Sequence, residues 1–233
     1  MYLHPKCRET RLSSSMNTFT SHIALLVFNQ SPYQEALRKS SKAREVALRV
    51  FSQAKTQVIR YGQACQLEVF DSAAWEISGA DFAQNLRQAV GKVLEKGFTH
   101  VLVVGIDTPG LCQHHIAEAK ATLENGQSPV GPDLRGGAYL LTFDAPLWNS
   151  TIWESCRWGT SDFLQDWTEF SQTHALSTLA DIQTGIDFDW VKTILRFRWM
   201  LKALEQQILV DCSISQPIPI PKSSPSGLRA PPK

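Results

Sequence analysis

No apolar run in this sequence approaches the ~18–20 residues that a membrane-spanning helix needs, so no such span is expected. Charge of one sign is lacking too. With 23 Lys and Arg against 22 Asp and Glu, the net charge is +1, which gives no electrostatic footprint for nucleic acid or an anionic membrane. Cysteine is sparse and scattered: Cys7, Cys65, Cys112, Cys156 and Cys212 are odd in number, and no pair stands at metal-ligand spacing. That pattern argues against a disulfide framework and for reduced thiols in a cytoplasm. Lys6, Arg8 and Arg11 are followed by Ser13-Ser14-Ser15 and Thr18-Phe19-Thr20-Ser21 rather than by an apolar stretch, so no secretory signal is expected. Several enzyme signatures are missing. There is no Gly-x-x-x-x-Gly-Lys-Ser/Thr loop, no Gly-x-Gly-x-x-Gly after the first strand and no Gly-x-Ser-x-Gly elbow, and the first strand ends in Asn29 where a nucleophilic Asp would stand.

What is present is an ordinary globular composition, 43% apolar and 19% charged over 233 residues, enough for one substantial core. The continuous run from Ile23 to Phe28 predicts a strand buried on both faces, and a polar stretch from Asn29 to Ser41 follows. Val46, Val50, Ala54 and Val58 recur at spacing four and predict a helix that Gly62 stops. Cys65 to Phe70 is the second strand. Asp81 caps the next helix with Gln84 at the capping-box position, and Phe82, Leu86, Val90, Val93 and Leu94 form its apolar stripe. Val101–Val104 is the third strand, and a helix from Cys112 to Asn125 stops at Gly126. Ser128-Pro129-Val130 and Ala138–Phe143 are further strands. Thr160 or Ser161 caps a helix reaching Phe170, and a long helix runs from about Asp187 to Val210. Trp190, Ile194, Phe197, Leu201 and Leu204 give that last helix an apolar stripe, suited to packing on its own domain or docking on a partner. Alternation of strands with helices predicts a single α/β domain over 22–211 with a mostly parallel central sheet. Residues 1–21 read as a disordered extension, and 212–233, rich in Pro and Ser, as a disordered tail.

Ligands of open parallel sheets bind beyond the carboxyl ends of the strands. Asp107 follows Val101–Val104 at once, so its carboxylate projects there, and Gly105 allows close approach of a backbone. Thr108-Pro109-Gly110 then turns the chain. Asp107 suits a hard divalent cation bridging a diphosphate, or simply a cap on the following helix. Gly131 to Gly137 is a ligand-approaching loop or a hairpin-like turn. Trp158 before Gly159 and Thr160 is a surface for stacking on a base or sugar, or a packing residue. Cys112, His114 and His115 invite a metal reading, which the different directions of adjacent helical residues oppose.

Three of these segments, in this order, carry a resemblance. Gly105-Ile106-Asp107-Thr108-Pro109-Gly110-Leu111 is similar to Gly-Thr-Asp-Ser-Pro-Gly-Leu. The stretch from Gly131 through Gly136, Gly137, Tyr139 and Leu140 is similar to Gly-Pro-x-x-Asp-Gly-Gly-x-Tyr-Leu, and Trp158-Gly159-Thr160 to a Trp-Gly-Thr segment. Over roughly Ile23 to Trp190 the chain resembles a bacterial glycosyltransferase-like family, the radical-SAM/selenodomain-associated transferase type. That family belongs to the GT-A superfamily of nucleotide-diphosphosugar transferases and is related in fold to nucleotidyltransferases. The resemblance implies a single GT-A-like, Rossmann-like α/β domain whose ligand is a nucleotide-sugar or a nucleotide. It implies that Asp107 is a reactive residue and holds Mg²⁺ or Mn²⁺; Arg135, at a position where the chain departs from the family, is the second residue expected to act in the chemistry. It also implies that Phe28, Gly105, Thr108, Pro109, Gly110, Gly136, Gly137, Tyr139, Trp158, Gly159 and Thr160 line the ligand.

The departures bear on the chemistry. The family's basic loop, Gly-Arg-x-Lys-Thr-Arg-Leu, is replaced by Asn29 to Lys39, although Arg38, Lys39, Lys42 and Arg44 keep positive charge there. Arg135 stands where the family has Asp, and Asp-x-Asp-Thr becomes Asp181-Ile182-Gln183-Thr184. Fewer carboxylates weaken or remove the cation site, and a guanidinium at Arg135 can take over part of its role by bidentate diphosphate binding. Three functions follow as expectations: a glycosyltransferase, a nucleotidyltransferase, or a non-catalytic ligand- or partner-binding member of the family.

Overall fold

The runs that read as fully buried strands, Ile23–Val27 and Val101–Val104, lie side by side in the sheet. The computed structural model describes residues 22–39 and 44–183. All of these fall in the first of the two units into which the chain divides, Met1–Gly185 and Ile186–Lys233. The helix expected over Asp187–Val210 and the stretches expected to be disordered tails lie outside the described residues. In chain order the elements are β1 (Ile23–Val27), α1 (Pro32–Lys39), α2 (Arg44–Ala64), β2 (Glu68–Asp71), a short 3₁₀ turn (Ser72–Ala74), α3 (Phe82–Leu94) and β3 (His100–Val104). They continue with α4 (Gln113–Glu124), β4 (Ser128–Pro132), β5 (Ala138–Asp144), α5 (Ala145–Trp148), α6 (Ile152–Ser155), α7 (Phe163–Phe170) and β6 (Thr173–Ala175). None of the described helices is long and apolar enough to cross a membrane.

The six strands form one sheet in the order β2-β1-β3-β5-β4-β6. β1 runs parallel to β2 and β3, and β4 parallel to β6, whereas β5 is antiparallel to both β3 and β4. The mixed α/β sheet is therefore mostly parallel, with one reversed strand inside it. The reversal has a local cause. Only Asp133–Gly137 separates β4 from β5, and a connection this short makes a hairpin, since a parallel crossover needs a dozen residues or more. Of the two roles open to the Gly131–Gly137 segment, it therefore takes the turn, and it reaches the ligand side as well.

Side chains alternate across the sheet. Ala24, Leu26, Val101, Val103, Leu141 and Phe143 face α3, α6 and α7 in one buried cluster with Trp153, Phe163 and Trp167. The opposite face meets α2, where Gly62 packs on Leu25 and Val69. Gly62 thus lies inside α2 and does not stop it; the chain leaves the helix around Gln66, at φ 57°. The buried stripe of α2 is Ala47, Phe51, Val58 and Gly62, rotated by about one residue from the expected one, because Val46 faces solvent. Asp81 caps α3 as expected by accepting from Gln84 N, but the Gln84 amide reaches back to Ala80 N. The cap of α7 is Asp162 rather than Thr160 or Ser161, and it makes no side-chain cap bond.

Tryptophans hold the region after β5 together. Trp148 Nε1 donates to Arg87 O, Trp153 Nε1 to Trp148 O and Trp158 Nε1 to Trp153 O, at 2.8–3.0 Å. Phe143, Trp153 and Trp158 stack in sequence, with centroids 5.1 and 5.4 Å apart. The middle ring carries both stacks, so Trp153→Ala should cost about 3–5 kcal/mol of stability, the range for removing a buried aromatic. Urea unfolding measures it, and a loss below about 1 kcal/mol would show that the stack does not hold this region.

Candidate functional site

The carboxyl ends of β1 and β3 and the start of the reversed β5 open on one cavity of about 920 Å³. Phe28 and Asn29 line it from the end of β1, and Gly105, Ile106, Asp107 and Thr108 from the end of β3. Arg135, Gly137 and Tyr139 come from the hairpin, Trp158, Gly159 and Thr160 from the loop before α7, and Asp181 and Gln183 from the last described segment. Ten of the thirteen residues that sequence reasoning placed at a ligand thus share one cavity. Pro109, Gly110 and Gly136 do not line it. Gly110 packs on Leu179. Gly136, at φ 85°, stands so close to Ser161 O that an added Cβ would lie 1.9 Å from it, and Gly136 O accepts from Leu164 N at 2.8 Å. Its role is to join the hairpin to the Trp158 loop.

Asp107 does not cap α4; Cys112 does, with His115 Nδ1 accepting from Cys112 N at 3.1 Å. Burial lowers the His115 pKa below its ordinary value. Cys112, His114 and His115 lie outside the cavity, and among the described residues no three His, Cys, Asp or Glu side chains gather as a metal site. The Asp107 carboxylate turns back over Gly105, where a Cβ would stand 2.6 Å from Oδ1, so a side chain at 105 would displace it.

The partner of Asp107 is Lys39, at the end of α1. Lys39 Nζ lies 2.5 Å from Asp107 Oδ2 and 2.5 Å from Ile182 O, and its side chain is only 3% exposed against 30% for Asp107. The main chain closes the same junction, with Ile182 N donating to Asp107 O at 2.7 Å. Lys39 was visible in the sequence only as one of four residual positive charges. The missed element is α1 itself, which begins where a polar stretch was expected. Its signal was legible: Ser31 caps it by accepting from Gln34 N at 3.1 Å, Pro32 takes the first helical position and Ser31-Pro32-Tyr33-Gln34 fits a capping box. Glu35, Ala36 and Lys39 form its buried face.

The Mg²⁺ or Mn²⁺ that the resemblance implies does not fit this donor set. Lys39 Nζ already takes one of the two Asp107 carboxylate oxygens, Oδ2. The side chain of Asp181, 8% exposed, accepts from Gln183 Nε2 at 2.6 Å through Oδ2, and its Oδ1 stands 4.0 Å from Arg135 Nε. The cavity retains two buried oxygens without a hydrogen bond, Asp181 Oδ1 and Thr108 Oγ1. A third, Asn29 Oδ1, belongs to a polar corner that sequence reasoning missed, in which Asn29 N donates to Ser72 Oγ and Asn29 Nδ2 to Asp71 Oδ1.

An aromatic side completes the site. Phe82, expected in the core stripe of α3, is 54% exposed and stands edge-on to Phe28 at 5.4 Å and 6.1 Å from Trp158. Trp158 packs on Trp153, one of its two expected roles, and also lines the cavity. The loop that carries it is anchored by Arg157, which bonds Asp166 twice at 2.7–2.9 Å and also Asp162; this guanidinium holds the Asp166 carboxyl down to about 2.

The fold is a mixed α/β sheet flanked by helices, similar to that of a nucleotide-diphospho-sugar transferase structure. The chain belongs to a family described as uncharacterized protein conserved in bacteria (DUF2064), which matches residues 36–160. Among solved structures, a provisionally named nucleotide-diphospho-sugar transferase from Desulfovibrio desulfuricans G20 is 19% identical, over 70% of this chain and 83% of that one, with a TM-score of 0.54. Rv0371c from Mycobacterium tuberculosis H37Rv is 12% identical, over 74% of this chain and 98% of that one, with a TM-score of 0.42. No curated protein matches the chain.

Burial pushes the Tyr139 phenol up to about 12, helped by Glu118 and Cys112; its hydroxyl donates to Ser177 O at 3.1 Å. Below pH ~10 the phenol is protonated in folded and unfolded chains alike, and above that the unfolded chain loses its proton first. Stability should therefore fall between pH 10 and 12, and Tyr139→Phe should flatten that fall in urea titrations. Identical pH slopes for the two proteins would contradict this environment for Tyr139.

Proposed function

We propose that this cavity binds a nucleotide-sugar and that the chain transfers its glycosyl group to an acceptor hydroxyl. The observation that carries the reading is the pairing, in one cavity of about 920 Å³, of an aromatic side with a polar side that includes Asn29, Thr108, Arg135 and Asp181. A base stacks on aromatic rings such as Phe28, Phe82 and Trp158. Sugar hydroxyls find hydrogen-bonding side chains on the polar side, among them Asn29 and Gln183. Arg135, 44% exposed, offers the planar guanidinium fork that matches a diphosphate. In the reaction the bond from the anomeric carbon to the diphosphate oxygen breaks, and the nucleoside diphosphate leaves with the electron pair. The acceptor oxygen bonds to that carbon and gives up its proton. Within the family, the three motifs favour the radical-SAM/selenodomain-associated transferase type.

The charge of the cavity favours a second reading. Glu35, Asp81, Asp107, Asp133 and Asp181 line it against Arg38, Lys39 and Arg135, an acidic excess that opposes a diphosphate and suits a binding module without turnover. Calorimetry with UDP- and GDP-sugars separates the readings when combined with a transfer assay. The transferase reading expects binding that Arg135→Ala and Trp158→Ala each weaken about tenfold, some 1.4 kcal/mol, together with release of nucleoside diphosphate. Binding without release gives the non-catalytic reading. No binding, or affinity unchanged in both variants, contradicts a nucleotide-sugar site here.

A further inference from the structure

We propose that the Lys39 ammonium is the resident cation of this site, standing where a divalent metal would sit and making ligand binding metal-independent. Lys39 Nζ has the oxygen partners that a hard cation would take, one carboxylate oxygen of Asp107 and one carbonyl oxygen of Ile182, each at 2.5 Å. The Phe51 ring lies beneath it, 5.8 Å from the nitrogen. Hence the pocket that would hold the metal is a built cation site, and the chain fills it from its own sequence.

The remaining acidic ligand is engaged as well. Asp181 Oδ2 takes the Gln183 amide, and Oδ1 faces the Arg135 guanidinium at 4.0 Å. A metal taking Asp107 Oδ2 would have to displace an ammonium that is 3% exposed and leave it buried without its counter-charge, which is strongly unfavourable. The exchange also changes the charge. A divalent ion on Asp107 would present a net +1 to an incoming diphosphate, whereas Lys39 on Asp107 presents zero. Anion binding then falls to the cavity's guanidinium groups, Arg38 and Arg135. The Lys39 side chain also ties the end of α1 to the Asp107 loop and the Asp181–Gln183 segment, so cation and scaffold are one group.

This inference deepens the nucleotide-sugar reading, but its first test needs no nucleotide. Mn²⁺ binding to the full chain is followed by loss of the free-ion electron paramagnetic resonance signal, and by thermal shift. The wild type and Asp107→Asn should take up Mn²⁺ equally poorly, and Mn²⁺ should leave the wild-type Tm unchanged. Lys39→Met frees the Asp107 carboxylate, and Mn²⁺ should then raise the Tm of that variant. Mn²⁺ uptake by the wild type that falls tenfold or more in Asp107→Asn would overturn the proposal, and the comparison holds even where Lys39→Met fails to fold. A second arm titrates UDP- and GDP-sugars in EDTA and in Mn²⁺. Equal affinities support the proposal, and binding only with Mn²⁺ overturns it. If no nucleotide-sugar binds, the functional reading fails and the Mn²⁺ comparison still decides which cation occupies the site.

Discussion

A buried ammonium has to be neutralised, and in this chain that requirement organises the site. Lys39 is almost fully enclosed, so its charge must be met by Asp107 and by Ile182 O, and those partners lie on segments far apart in the sequence. To bring them together, α1 must form, the turn after β3 must present its carboxylate inward, and the chain beyond β6 must return across the strand ends. The backbone bond from Ile182 N to Asp107 O completes the junction. Gly105 follows from the same constraint, because the carboxylate lies over it and leaves no room for a side chain.

The other half of the cavity is held by packing. The reversed strand β5 contributes Phe143 to the stack that runs through Trp153 to Trp158, and the Trp153 and Trp158 indoles donate to the carbonyls of Trp148 and Trp153. Arg157 anchors the same loop to α7 through Asp166. Trp158 therefore meets the cavity as a fixed wall, joined by Phe82 and Phe28. One side of the site is set by charge and the other by aromatic rings.

Much of this was legible in the sequence where a residue's own pattern decides its place. Continuous apolar runs gave β1 and β3, and their exposed ends gave Phe28, Gly105, Asp107 and Thr108. The Gly131–Gly137 segment was open to two roles, a ligand-approaching loop or a hairpin-like turn, and the short link between β4 and β5 is what makes it the turn that reverses β5. Other misses are tertiary in origin. Gly62 looks like a helix stop but packs inside α2, because Leu25 and Val69 come close to it there. Phe82 looks like core but sits at the mouth of the site. Lys39 is a surface lysine by any local criterion, since nothing near it in sequence announces Asp107, and the polar composition of α1 concealed a helix whose Ser-Pro start was nonetheless present. The Asn29, Asp71 and Ser72 corner joins residues about forty positions apart, which a single sequence without its fold does not pair.

The site therefore depends on Lys39 and Asp107 acting as one unit. A double-mutant cycle in urea, with Lys39→Met, Asp107→Asn and the double variant, measures that directly. The double variant should be less damaged than the sum of the single ones, with a coupling of about 0.5–3 kcal/mol, the range for residues in direct contact. Additive losses, with coupling indistinguishable from zero, would contradict it and leave Asp107 available to a metal.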